Sequence, residues 1–364
     1  MNALIHLIAG ARPNFMKIAP IIKQLEKENL SYELIHTGQH YDDEMSKIFF
    51  RDLEIPKPDY YLGVGSASHA VQTGKIMMEY EKVILKSKPK LVIVVGDVNS
   101  TIACALVAKK LFIDIAHIEA GLRSFDRKMP EEINRVLTDQ ISDLLFTTEK
   151  SAGSNLRKEG IEPNKIFFVG NIMIDTLVEN IKKANKISVT EQFDLQKGKF
   201  AVVTIHRPSN VDNLEDIKKI VQILKFVQDN IKIIFPIHPR TKKNLKKFGM
   251  YNKLKTRNII LTDPIGYIRF LSLMMNSKFI MTDSGGIQEE ASYLHVPVLT
   301  LRENTERPIT INQGTNILVG KDFSKIKSKV SQIISGKYKK GQKIKGWDGN
   351  TAKRIVDILK NKYK

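Results

Sequence analysis

Cysteine is nearly absent from this chain. The 364 residues include one, Cys104, in an apolar helical stretch, so no disulfide forms within the chain and a reducing compartment, the cytoplasm, is expected. Long hydrophobic runs are missing too: none approaches the roughly 18 residues of a membrane span. Residues 3–9 lack a signal-peptide layout, because they run straight into Gly10-Ala11-Arg12-Pro13. That turn holds one glycine and so is not the G-x-G-x-x-G fingerprint of dinucleotide binding. No set of His and Cys stands at metal-ligand spacing, which leaves His40 as a loop or core histidine and predicts neither metal nor cofactor. Acids are the scarce charge, with 39 Asp and Glu against 58 Lys and Arg, a net +19. Such a surplus admits nucleic acid, an anionic membrane or an acidic small molecule as partner. The lysines, however, are spread through helical stretches and concentrated in residues 321–364, without one block interleaved with aromatics. They read as solvated surface, and neither nucleic acid nor membrane is expected.

What is present is an alternation of short apolar runs and helical segments. The length exceeds one ordinary core and predicts two domains. Strands are expected at residues 5–9, 34–37, 91–95, 113–118, 144–147 and 166–169. A second series covers 200–205, 231–236, 258–261, 278–282 and 296–301. Runs rich in Ile and Val between helices read as buried parallel strands, so the fold class is α/β, two Rossmann-like domains facing a cleft. The Lys-rich stretch 183–199 marks the boundary, giving domains of 1–182 and 183–350. Pro56, Pro58, Gly63 and Gly65 mark a loop.

Open α/β sheets place their chemistry at the carboxyl ends of the strands. In the first half, three acidic stations fall there or close by: Gly96-Asp97-Val98-Asn99-Ser100-Thr101, His117-Ile118-Glu119-Ala120-Gly121-Leu122-Arg123, and Pro130-Glu131-Glu132-Ile133-Asn134-Arg135. A single acid before a helix reads equally as a cap. Several carboxylates at neighbouring strand ends point instead to acid–base chemistry, because their mutual repulsion separates their pKa values. Arg12 and Lys17, one turn apart at the start of a helix with Pro13 in its first turn, form a weak anion-site signal.

The second half has its own stations: His206-Arg207-Pro208, His238-Pro239-Arg240, and Thr282-Asp283-Ser284-Gly285-Gly286-Ile287-Gln288-Glu289-Glu290. In the last of these a strand delivers a Ser-Gly-Gly turn into a helix. Its glycines allow backbone N–H groups near a phosphate. Glu290, one turn inside, is placed to accept from ribose hydroxyls. Thr305-Glu306-Arg307-Pro308 offers a further cation.

Together these motifs, in order and over about residues 5–320, resemble the non-hydrolysing UDP-N-acetylglucosamine 2-epimerases. The resemblance implies a glycosyltransferase-B-type fold whose C-terminal helix, 351–364, packs back on the first domain. It implies a cytoplasmic homodimer that interconverts UDP-GlcNAc and UDP-ManNAc for surface polysaccharide, without metal or nicotinamide, by eliminating UDP and re-adding it to 2-acetamidoglucal. Asp97, Glu119, Glu131 and His206 correspond to the family's catalytic residues. Arg12, Lys17, Arg135, His238, Phe270, Ser284, Gly285, Gly286, Glu290 and Arg307 would bind the UDP-sugar. One departure concerns the loop where some bacterial members hold a second UDP-GlcNAc: here it reads Gln39-His40-Tyr41-Asp42, with Ser68-His69-Ala70 later. That pattern leaves open a modified UDP-GlcNAc, such as a diacetamido uronic acid, as substrate. A glycosyltransferase of the same fold is the other reading, though it has no need of three acids around C1–C2.

Overall fold

The computed structural model describes residues 4–38 and 50–363, without the Arg12 side chain; Gln39-His40-Tyr41-Asp42 thus lies outside the described residues. The chain divides into two compact units, Met1–Glu179 with Lys345–Lys364, and Asn180–Ile344.

The strands of the first unit are β1 (Ile5–Ala9), β2 (Tyr32–His36), β3 (Tyr60–Tyr61), β4 (Leu91–Val95), β5 (Asp114–Ala120), β6 (Leu144–Thr147) and β7 (Ile166–Phe168). They form one sheet in the order β3-β2-β1-β4-β5-β6-β7, with every pairing parallel. β1 and β4 are buried at every position, as central strands covered on both faces must be. The strand order reverses between β1 and β4, the kind of switch point where such sheets open a crevice at their carboxyl ends. One face packs Ile8, Val92, Val94 and Ile115 against Ile76, Tyr80, Val107 and Cys104. Burial pushes the Cys104 thiol far above its ordinary range, so it stays protonated as a packing residue.

Two short edge strands escape the sequence pattern. β3 is two residues inside the stretch punctuated by Pro56, Pro58, Gly63 and Gly65, and too short to show an alternation. β5 also runs two residues further than its apolar run, because a register shift between Ile118 and Ala120 lets Glu119 bulge out of the ladder. The final helix, Thr351–Tyr363, belongs to the first unit. Its Ala352 N–H donates to Asp175 (2.7 Å), Arg354 Nε to the Val169 carbonyl (2.6 Å) and Tyr363 to Asp114 (2.6 Å).

The second unit contains β8 (Phe200–Thr204), β9 (Lys232–Pro236), β10 (Ile259–Thr262), β11 (Phe279–Thr282), β12 (Val298–Thr300) and β13 (Asn316–Leu318), the last also unforeseen. They pair in parallel as β10-β9-β8-β11-β12-β13, again with a reversal, here between β8 and β11. The helices Leu214–Gln228 and Phe323–Ile334 bury Ile217, Leu224, Ile326 and Val330 against Val203, Phe235 and Met281. The basic residues are almost equally shared between the units, and it is the acids that are not. Residues 180–344 hold 30 Lys and Arg against 13 Asp and Glu, and the remainder 28 against 26. The net charge thus resides almost wholly on the second unit.

Glycine is needed at Gly170 on two counts. Its φ is +94°, and a Cβ there would lie 2.1 Å from the Gly346 carbonyl oxygen. Gly160 shares the left-handed backbone (φ +85°) with open space around it. Gly160→Ala should therefore cost only the conformational term, about 1–2 kcal/mol. Gly170→Ala adds a backbone clash and should cost on the order of 3 kcal/mol or more. Scanning calorimetry of both variants checks the ordering; equal losses would refute it.

Candidate active site at the strand ends

In the first unit, the chain leaves β4 through Gly96 (φ +69°) and presents Asp97. Arg135, 2% exposed, donates to Asp97 Oδ2 from Nη2 (2.6 Å) and Nε (3.2 Å), and its Nη1 donates to Glu132. Asn134 Nδ2 donates to the Asp97 carbonyl at 3.0 Å. One strand over, Glu119 sits in the β5 bulge with φ +71° and 2% exposure. A left-handed backbone is uncommon for a long side chain, and bulges serve to re-aim one. Its partner is Lys17, drawn from the first helix. Lys17 therefore spends its charge on a carboxylate, whereas the sequence suggested an open anion site. Space here is tight: a Cβ on Gly96 would be 3.1 Å from Lys17 Nζ, and one on Gly10 would be 2.0 Å from Ser100 Oγ.

The third acidic station separates into two roles. Glu132, 1% exposed, accepts from Ser124 N (2.9 Å), Ser124 Oγ (3.0 Å) and Phe125 N (2.9 Å) as well as from Arg135, so it holds the loop after β5. Glu131, its neighbour, is half-buried and makes no hydrogen bond or ion pair among the described residues.

The second unit is organised on Asp283, at the end of β11. Its carboxylate accepts from His206 N (3.0 and 3.1 Å), Arg207 N (2.9 Å) and Asn210 Nδ2 (2.9 Å), and lies 2.9 Å from His206 Nδ1. Burial alone would raise its pKa; His206 and these donors outweigh that and hold it below the usual carboxylate range. The arrangement keeps the Nδ1 proton of His206 facing Asp283 and turns the ring's chemistry to Nε2. The His206 side chain is 39% exposed. His238 stands beside it with ring centroids 5.5 Å apart. It also has a local duty, accepting from Arg240 N (3.2 Å) to cap the helix Pro239–Lys247.

The helix Gly285–Tyr293 starts at Ser284, whose side chain makes no capping bond. The first-turn N–H groups of such a helix face outward with the positive end of its dipole, an anion seat. A Cβ at 285 would be 2.8 Å from Glu306 Oε1, so a side chain there would displace that carboxylate. Behind the turn lie buried acids. Glu289 takes Arg307 Nε at 2.7 Å, and Arg302 pairs with Glu306 at 2.9 Å. Burial tends to raise the Glu306 pKa, but Arg302, Arg307 and Arg207 outweigh it and hold it far below the usual range. Glu290 accepts from Tyr267 Oη at 2.7 Å. Burial, reinforced by the Glu289 charge and only partly offset by Tyr267, pushes the Glu290 pKa up to about 8. Phe270 is half-buried on the helix Tyr267–Asn276.

Sequence reasoning passed over Asp283, Glu132 and Glu289, all next to residues it singled out. Their signal was an acid doubled or set directly before a functional turn, read as one station when two acids divide the work. Asp139, described below, carried no local signal. Among the described residues no three His, Cys, Asp or Glu side chains group to hold a metal ion, and no helix is long and apolar enough to cross a membrane.

A profile of the UDP-N-acetylglucosamine 2-epimerase family matches residues 23–360. A UDP-N-acetylglucosamine 2-epimerase of Methanocaldococcus jannaschii is 50% identical over 97% of this chain and 98% of its own. A UDP-2,3-diacetamido-2,3-dideoxy-D-glucuronate 2-epimerase of Pseudomonas aeruginosa is 44% identical over 86% and 87%. The crystal structure of M. jannaschii UDP-GlcNAc 2-epimerase with UDP-GlcNAc and UDP superposes with a TM-score of 0.91 at 48% identity, covering 98% of this chain and 99% of that one. Sucrose-phosphate synthase of Thermosynechococcus elongatus, 11% identical with a TM-score of 0.61 and covering 100% and 99%, shares the fold alone. Two parallel-sheet units of the glycosyltransferase-B type, acids at the strand ends of one, a helix-end anion seat in the other and these likenesses agree: the chain belongs to the UDP-N-acetylglucosamine 2-epimerase family.

Proposed function

We propose that this enzyme interconverts UDP-GlcNAc and UDP-ManNAc by eliminating UDP and adding it back. The observation that carries the reading is the pair of carboxylates, Asp97 and Glu119, at the ends of adjacent strands, each joined to a buried cation. In the forward direction a carboxylate takes the C2 proton, the C1–O bond breaks, and its electrons leave with UDP. In the return, UDP rejoins C1 of 2-acetamidoglucal and a proton is delivered to the opposite face of C2. The C2 hydrogen is poorly acidic, so charge builds mainly on the departing diphosphate and, with opposite sign, at C1. Asp97, Glu119 and Glu131 answer the C1 charge and the proton transfers. His206, Arg12 and the Ser284–Gly285–Gly286 turn answer the diphosphate, while Arg135, which the sequence assigned to the UDP-sugar, holds Asp97 and Glu132.

The second unit supplies UDP binding in this reading, with His238, Phe270, Glu290 and Arg307 completing it and Lys17 holding Glu119. Its charge supports that division: a surplus of 30 cations over 13 anions concentrates an anionic nucleotide. The buried lone Cys104 fits a reducing cytoplasm. A homodimer is supported by the exposed Met78 and Leu85 on the helix His69–Ser87 and Ile133 and Leu137 on Pro130–Ile141. Met77 and Ile133 line one groove between these helices. The 44% relative keeps a diacetamido uronic acid in view as substrate, so both UDP-sugars belong in the first assay.

Asp97→Asn, Glu119→Gln and Glu131→Gln should each retain UDP binding and lose most turnover. General acid–base work is worth about 10²–10⁴ in rate, whereas an amide would still serve as a cap. Incubation in deuterium oxide should give the parent's product a deuteron at C2, and at least one variant should leak 2-acetamidoglucal. Turnover within about tenfold of the parent in all three would make these acids structural.

Glu290→Gln should separate stability from binding. Below about pH 4.5 the carboxyl is neutral folded and unfolded alike. Between 4.5 and about 8 the unfolded chain ionises it first, so the folded state binds more protons and stability falls as pH rises. Glutamine escapes that loss. The variant's Tm should pull ahead of the parent's from pH 5 and stop gaining above pH 8, while UDP affinity falls, because only the ionised acid accepts from two ribose hydroxyls. A variant less stable than the parent at pH 7, or unchanged in UDP affinity, contradicts the assignment.

For the dimer, Ile133→Asp combined with Met78→Asp should yield monomers by light scattering. A parent already monomeric at micromolar concentration ends that reading.

A further inference from the structure

His117 has no role in the proposed reaction, yet it is fully enclosed beside the strand-end acids. It lies in the middle of β5 with no exposed surface. Nδ1 is 2.7 Å from Asp139 Oδ1, and Nε2 is 2.7 Å from the Gly96 carbonyl oxygen. A carbonyl only accepts, so Nε2 carries a proton. Asp139, itself fully buried on the helix Pro130–Ile141, also accepts from Gly121 N (3.0 Å) and pairs with Arg123 Nη2 (2.7 Å). An acid taking those bonds is ionised and likewise only accepts, so Nδ1 carries a proton too.

We propose that His117 is an imidazolium clamped by Asp139, and that this pair positions both strand-end carboxylates of the first unit. The proposal rests on the reading of Asp97 and Glu119 as the reacting acids. One carboxylate, Asp139, ties residue 117 and residue 121, two before and two after Glu119, and so holds the bulge in which Glu119 keeps its φ of +71°. The other nitrogen of the same ring holds the carbonyl of Gly96, the residue before Asp97, and Gly96 N donates to the Ile118 carbonyl at 3.0 Å. The charges that face the ring are few and balanced. Arg123 shares Asp139 with it and is itself held bidentately by Glu159 at 2.6 and 2.8 Å. Among the described residues the Gly96 carbonyl meets the ring from the β4 side, while Glu119 and Asp97 pair with Lys17 and Arg135. Burial works against the charge on Asp139, but His117 and Arg123 outweigh it and keep its pKa below the ordinary value.

The test uses the full chain labelled with 15N-histidine. Of its eight histidines, one buried ring should show both nitrogens protonated at pH 7, and that signal should vanish in His117→Gln. His117→Gln and Asp139→Asn should bind UDP within about threefold of the parent. Their kcat should fall on the order of 10²-fold with KM nearly unmoved, as expected when reacting groups are displaced by an ångström or less, and their pH–rate profiles should shift. A single protonated nitrogen on His117 at pH 7 in the parent overturns the proposal, and that measurement stands even where a variant does not fold. Variants that fold with kcat within about tenfold and an unshifted pH profile overturn it as well.

Discussion

A carboxylate removed from water must be given donors or a cation, and this requirement organises both units. Transfer of an isolated charge into a protein interior costs far more than any one packing contact returns. The buried acids here each have such partners: Glu119 has Lys17, Glu132 has Arg135 and three N–H or O–H donors, Asp139 has His117 and Arg123, and Asp283 has four donors. Because those partners come from different elements, each acid also fixes the relative placement of several chain segments. Asp283 alone joins the ends of β8 and β11 through His206, Arg207 and Asn210.

Glu290 departs from that pattern in a way that bears on binding. Its partner is a neutral phenol, Tyr267, and the charge of the neighbouring Glu289 acts against its ionisation. The folded chain therefore keeps it protonated near neutrality, a cost to the ionised form that a pair of ribose hydroxyls would relieve. Stability left unoptimised at a buried acid supports the proposed role of Glu290 in binding, where the ligand would supply the missing partner.

Much of this was legible in the sequence because parallel strands buried on both faces are written as unbroken apolar runs. Leu91–Val95 needed no context to be recognised, and the residue after such a run in an α/β pattern falls at the functional edge. Asp97, His206 and the Ser284 turn were reachable by that rule. Three kinds of information were not. Edge strands of two or three residues, Tyr60–Tyr61 and Asn316–Leu318, are too short to carry a period. Partnerships across more than a hundred residues, such as Lys17 with Glu119, depend on the sheet order. The uneven net charge of the two units is a matter of acids, 26 in the first and 13 in the second against 28 and 30 cations, and a scan for lysine-rich blocks does not weigh it.

The bulge at Glu119 shows how the placement of one side chain and fold stability trade against each other. A regular strand would have continued to Ala120 with residue 119 pointing along the normal alternation. Inserting the extra residue forces a left-handed backbone on a glutamate, which costs on the order of 1–3 kcal/mol. Gly121 follows with φ +78° and no room for a side chain, since a Cβ would be 2.4 Å from the Ala152 carbonyl oxygen. The strained backbone at Glu119 persists only if flanking contacts over-determine it. The Asp139 bonds to His117 and Gly121, the His117 bond to Gly96 and the Gly96 bond to Ile118 supply that closure within a few residues. The strain and the buried charges that hold it thus act as one device, which aims the Glu119 carboxylate off the ladder.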